Sequence, residues 1–222
     1  MNVGMSILLA VSIIIFLGFG HRALDRLKLT DKAALLLLIG MLIGGFLPEL
    51  HFMNDLAINI GGGVIPLGLV VYLLLKAETW ERARSIIAAL LTAFIIFGVM
   101  KFMPLEPTYN LTVDPLFLIA ITAGVMGYLF GRSRRGAFIA AVLGVIINDL
   151  FAFAENLAAG TPAPIIIGGA GVFDAIVIAG ILSLGLAEAF GETMERITLI
   201  NKRKPVKDAS HDDENPEGGD DQ

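Results

Sequence analysis

Of the 222 residues, 56% are hydrophobic and only 17% are charged, with a mean hydropathy of +0.79. A soluble domain of this size could not bury so much apolar surface, and the charges fall in short clusters between long apolar runs, so a polytopic membrane protein is expected. The absence of cysteine excludes a disulfide framework, thiol chemistry and a Cys-ligated zinc site; His21, His51 and His211 are scattered, so neither a metal site nor any other cofactor is expected; and the net charge of −5, most of it in the C-terminal tail, gives no basis for nucleic-acid binding.

Seven apolar segments follow in chain order, at about 3–20, 33–48, 56–75, 85–101, 115–131, 136–154 and 164–187. Each is near the length that a hydrocarbon core of about 30 Å requires of a helix. The first has no basic residue ahead of it and no clear small-residue cleavage site, so it reads as a helix rather than a signal peptide. The expected fold class is all-α integral membrane, with a seven-helix transmembrane domain over 1–200.

Lys and Arg give these segments a direction. Arg22, Arg26, Lys28 and Lys32 follow the first; Lys76, Arg82 and Arg84 follow the third; Arg132, Arg134 and Arg135 follow the fifth; Arg196, Lys202, Arg203, Lys204 and Lys207 follow the seventh. All of these fall on one side of the membrane, and Lys101 alone falls on the other. The positive-inside rule then places the N-terminus outside and the C-terminus in the cytoplasm of a cell (inner) membrane. Residues 201–222, basic and then acidic without apolar periodicity, read as a disordered cytoplasmic tail whose basic part can touch anionic headgroups. Asn110-Leu111-Thr112 is a glycosylation sequon on the outer side, relevant only in a eukaryotic host.

An internal duplication is expected. Gly40 to Leu47 aligns with Gly144 to Phe151 at an offset of 104, and Ile58 to Gly62 aligns with Ile165 to Gly169 at 107. The paired segments run in the same direction, giving a parallel repeat of three plus one plus three. The architecture resembles that of the SWEET sugar carriers, without their sequence motifs.

Three features are foreign to an apolar span: Asn59 to Pro66, which holds Gly61 and Gly62 before its proline; Asn148-Asp149; and Gly168 to Asp174, with Gly169 and Gly171. Glycine and proline weaken a helix, and loosened backbone in lipid is tolerated only where protein or water satisfies it. At about 1.5 Å per residue, Asp149 lies roughly 10 Å deep, Asp174 roughly 15 Å, and Asn59 to Pro66 between roughly 5 and 15 Å below the same surface. One outward-opening polar pocket is therefore expected, formed by the third, sixth and seventh segments. Within the apolar part of any span no Lys or Arg is available to neutralise Asp149 or Asp174, so the expected occupant is a shared proton or a bound cation. Glu155 and Glu188 read as interfacial charges without a special role.

The pairing of Asn59-Ile60-Gly61-Gly62 and Ile65-Pro66 with Gly168-Gly169-Ala170-Gly171-Val172-Phe173-Asp174 resembles an uncharacterised family of prokaryotic multi-spanning membrane proteins, the domain of unknown function numbered sixteen-fourteen. That resemblance implies a prokaryotic inner-membrane setting and no particular activity. A looser similarity is to intramembrane aspartyl proteases, which carry one aspartate on each of two successive helices, as Asp149 and Asp174 do here. The match departs from that family in three ways, one being that those enzymes usually have more helices. Gly169-Ala170-Gly171 is separated from Asp174 by two extra residues, Val172 and Phe173, where a G-x-G-D motif has none, and Pro66-Leu67 precedes the aspartates where the family's proline motif follows them.

The expected function is a small proton- or cation-linked transporter or channel, with Asp149 and Asp174 on the path and Asn59 and Asn148 as further polar ligands. An aspartyl intramembrane protease and a non-catalytic scaffold or partner subunit are the alternatives. The expected partners are the lipid bilayer and a proton, small cation or solute, and a homo-oligomer is compatible with the sequence.

Overall fold

The computed structural model describes residues 31–53, 55–102, 114–161 and 163–203, with Gly18, Leu27 and Leu29. The first apolar segment apart from Gly18, the sequon at Asn110 and the tail beyond Arg203 lie outside the described residues. The chain divides into two compact units, Met1–Glu188 and Ala189–Gln222. The core and the candidate site lie in the first.

The described chain is mostly helical, with a small sheet at one end. In order it forms α1 (Asp31–Gly44), β1 (Leu50–Met53), β2 (Leu56–Ile58), a π-helical turn (Ile60–Val64), α2 (Ile65–Lys76), α3 (Thr79–Phe102), α4 (Pro115–Gly131), α5 (Arg134–Ala159), β3 (Ile165–Ile167), a 3-10 turn (Gly171–Phe173) and α6 (Ala175–Arg203). α3 and α5, each with a mean hydropathy of 2.2 in its most apolar stretch, are long and apolar enough to cross a membrane; the apolar stretches of the other helices, Ala175–Phe190 of α6 among them, are shorter.

The helix ends follow from local sequence. Asp114 accepts from Leu116 N–H at 2.9 Å and Pro115 opens α4, where its missing N–H costs nothing. The Ser133 hydroxyl accepts from Gly136 N–H at 3.0 Å and donates to Glu81 Oε1 at 2.7 Å, tying the start of α5 to the start of α3. Gly160, at φ +65°, terminates α5 in the left-handed conformation that glycine adopts without steric cost.

α5 is the hub on which α2, α3 and α4 pack. The contacts are made by small residues: Gly144 abuts Thr92 of α3, Gly127 abuts Ala141, and Ala88, Ala89, Ala93, Ala137 and Ala140 are almost wholly buried. α6 joins them, with Gly180 against Phe138 and Val142 of α5 and Leu182 against Gly124 of α4. Small side chains let helix backbones approach closely, so dispersion contacts accumulate along their length.

The two ends of this bundle differ. At one, Arg82 donates from Nε to Leu74 O at 2.9 Å and from Nη2 to Ala77 O at 3.2 Å, Arg135 Nη1 donates to Lys76 O at 3.4 Å, and Arg134 pairs with Glu188 at 2.9 Å. At the other, Lys101 pairs with Glu155 and lies 5.5 Å from the centre of the Phe97 ring, while Phe151 packs against Phe94 and Phe97. Glu155 and Glu188 thus each hold a basic partner from another helix.

The sheet lies at the Lys101 end and has the order β1-β2-β3. β1 and β2 are antiparallel with an irregularity between His51 and Met53; β2 and β3 are parallel, with Leu56 opposite Ile165, Ala57 opposite Ile166 and Ile58 opposite Ile167. Here the structure departs from the expected helices. The segments 56–75 and 164–187 each begin as a strand and become α-helix only at Ile65 and Ala175. Glycines in both places favour a break over a continuous helix, and β pairing then satisfies the backbone groups that the break exposes.

Candidate functional site

Two broken helices lie side by side. In the first, Asn59 follows β2 and its Oδ1 accepts from Gly61 N–H at 2.9 Å and Gly62 N–H at 3.0 Å, while its Nδ2 donates to Gly45 O at 3.4 Å. Its own N–H donates to Ile167 O of β3 at 2.9 Å. The turn that it caps is π-wide, closed by the Ile65 N–H donating to Ile60 O. Pro66 follows, buried, where it cannot donate to Gly62 O as a regular α-helix would require. Asn59 is 2% exposed with its amide engaged at both ends, so its observed work is to hold the break together.

The second break runs from β3 through Gly168 (φ +74°) and Gly171 (φ +61°) to Asp174. Asp174 Oδ1 accepts from Ile176 N–H at 3.0 Å and Oδ2 from Ala170 N–H at 3.2 Å, and the Asp174 carbonyl accepts from Ile178 N–H at 3.0 Å. That is the geometry of a helix N-cap. The carboxylate expected in mid-helix therefore stands at the start of α6, facing the positive end of its dipole.

The two breaks meet the end of α1 in a knot of backbone. A Cβ on Gly61 would stand 2.1 Å from Met41 O and 2.3 Å from Gly45 N; one on Gly62 would stand 2.3 Å from Gly168 O; one on Gly168 would stand 2.3 Å from both Gly62 C and Gly63 N. Gly45 and Gly171 are also in near contact. Of the expected site residues, Asn59, Gly61, Gly62, Gly168 and Gly171 are thus brought together and buried, with Pro66 buried just beyond, whereas Gly169 is exposed. Gly44 and Gly45, absent from that set, complete the knot; their presence in the aligned stretch of α1 was the available signal.

Asp149 and Asn148 reach the same region from α5. Asn148 is buried at 6% exposure, and both aspartates are partly buried. Asp149 lies within electrostatic range of the Asp174 carboxylate. Among the described residues no group of three or more His, Cys, Asp or Glu side chains is arranged to hold a metal ion. An apolar cavity of about 190 Å³, walled by Leu42, Phe46 and Phe173, adjoins the glycine knot, and another of about 320 Å³ opens where α5 ends; neither is lined by Asp149 or Asp174.

The family described as "Protein of unknown function (DUF1614)" matches residues 41–186. The chain belongs to the DUF1614 family. The DUF1614 match opens at Met41, whose carbonyl lies against Gly61, and closes in α6, so it includes all three glycine segments and both aspartates. No curated protein and no solved structure matches the chain.

Proposed function

We propose that this DUF1614 protein is a multi-pass inner-membrane protein that moves protons or small cations, with Asp149 and Asp174 on the path. The observation that carries the reading is the pair of interrupted helices whose leading strands pair in parallel, with Asp174 capping one of them and Asp149 within electrostatic range on the hub helix. Interrupted helices beside one another are a recurrent way of building ion sites within a bilayer, because the freed helix ends offer polar groups where side chains are apolar.

The membrane setting is supported by an inside-out surface. Leu75 is 72% exposed and Phe94 62%, while alanine and glycine fill the interior. The orientation read from the basic clusters is supported by the gathering of Lys76, Arg82, Arg134 and Arg135 at one end. A parallel duplication is supported by two strand–turn–helix units whose strands pair in parallel, with α1 and α5 leading into them.

The protease reading is weaker. Both oxygens of Asp174 accept from backbone N–H groups, so its observed work is to cap α6.

Flux in proteoliposomes tests the proposal. Wild-type protein should dissipate an imposed proton, sodium or potassium gradient, and Asp149→Asn and Asp174→Asn should each lower the rate at least tenfold. Asparagine is as good an N-cap as aspartate, so the second variant removes the charge and keeps the bond from Ile176 N–H, losing only that from the exposed Ala170 N–H. Folded wild-type protein that dissipates none of these gradients would overturn the reading and leave the scaffold role.

A further inference from the structure

The cavity of about 320 Å³ where α5 ends is separate from the glycine knot and is lined by neither Asp149 nor Asp174. It lies between the β1–β2 turn, which supplies Asp55, and the end of α5, which supplies Phe153, Asn156, Leu157 and, just beyond, Thr161. Its volume falls at the lower end of the roughly 300–1,000 Å³ typical of small-molecule sites.

The walls are held before any ligand arrives. The Asn156 carbonyl accepts from Thr161 N–H at 3.1 Å and from the Thr161 hydroxyl at 3.3 Å, and Asn156 Nδ2 donates to Ala163 O at 3.5 Å. On the opposite side, Ile165 N–H donates to Asp55 O at 2.9 Å beside the paired strands β2 and β3. These bonds use the groups that shape the walls and leave others over. The Asp55 carboxylate has no ion pair or hydrogen bond among the described residues, and Asn156 Oδ1 is the amide atom left to accept. One further feature favours positive charge: the negative end of the 26-residue α5 dipole.

We propose that this cavity binds the ammonium group of a small organic cation. One carboxylate is too few for calcium or magnesium, which demand six or more oxygens and usually several charges. It matches an alkylammonium, which brings a single charge and three donors, with Asp55 and Asn156 Oδ1 as acceptors. Phe153 and Leu157 then take the carbon part. The group can arrive on a free amine or on an aminophospholipid headgroup, and the chemistry of capture is the same.

The test uses the full chain in phosphatidylglycerol nanodiscs, titrated with 2-phenylethylammonium and, as an uncharged control, 2-phenylethanol, by calorimetry. Saturable binding of the amine is expected, with at least tenfold weaker binding of the alcohol and at least tenfold weaker amine binding by Asp55→Asn. Leu157→Asn, a second exposed position, should weaken 2-phenylethylammonium more than methylammonium. An unfolding midpoint close to wild type certifies each variant. Lack of saturable binding by folded wild type, or equal affinity in wild type and Asp55→Asn, overturns the proposal. Repeating the titration in phosphatidylethanolamine nanodiscs assigns the source: weaker apparent affinity means that the headgroup occupies the site, and unchanged affinity means a free amine. The site shares no residue with Asp149 or Asp174, so its failure leaves the flux result standing, and the reverse holds.

Discussion

Asn59 and Asp174 begin their helices by the same device, a short side-chain oxygen accepting from backbone N–H groups that the helix cannot satisfy. They differ in what surrounds them. Asn59 is 2% exposed and holds two buried N–H groups, so Asn59→Ala should destabilise the protein by roughly 2–4 kcal/mol, the desolvation of unpaired buried donors. Asp174 is less buried, and Asp174→Ala should cost about 1 kcal/mol where Asp174→Asn costs a few tenths at most. Chemical unfolding in detergent reads both series, and equal losses for Asp174→Ala and Asp174→Asn would mean that charge rather than capping stabilises the position. The sequence marked both residues as out of place in apolar runs. It placed Asp174 in mid-helix because the run from Ile165 to Gly180 shows no polar boundary; the break depends on Gly168 and Gly171 taking positive φ against Gly62 and Gly45, a tertiary constraint that no local pattern carries.

The interrupted elements owe their geometry to what glycine lacks. Gly61→Ala would put a methyl group 2.1 Å from Met41 O and 2.3 Å from Gly45 N, backbone atoms that cannot turn aside. Gly68, exposed on α2 with nothing within 4 Å of its missing Cβ, is the matched control. Size-exclusion yield and unfolding midpoints should show Gly61→Ala largely misassembled. Gly68→Ala should be neutral or more stable by about 0.5–1 kcal/mol, the usual gain of alanine over glycine in a helix. Normal assembly of Gly61→Ala would mean that the knot yields and that its closeness is not needed. At this scale the sequence was partly legible. Three glycines before a proline announced a break after Asn59. The strands did not show, because Leu56 to Ile58 and Ile165 to Ile167 are short apolar runs that read equally as helix. Their register, with Leu56 opposite Ile165, is an offset of 109, two residues from the 107 of the sequence alignment, since residues paired across a parallel ladder need not be the equivalent positions of a repeat.

For the whole molecule, the alternation of apolar runs and basic clusters was the most legible signal, because hydropathy and charge act over long stretches and survive local errors of helix boundary. It leads to a sharp expectation for α5. Arg132 precedes this helix on the basic side and Ala159 closes it on the other; both are exposed, and the 26 residues between Ser133 and Gly160 cover about 39 Å, more than a hydrocarbon core. The chain has no cysteine, so single substitutions Arg132→Cys and Ala159→Cys give unambiguous reporters. Intact cells treated with a membrane-impermeant maleimide should label Ala159→Cys, and Arg132→Cys only after permeabilisation. The opposite pattern would reverse the orientation while keeping the crossing. Labelling of both in intact cells, or of neither before permeabilisation, would mean that α5 does not cross. The interior of small residues would then be a soluble core, and the outward-facing Leu75 and Phe94 would need a protein partner in place of lipid.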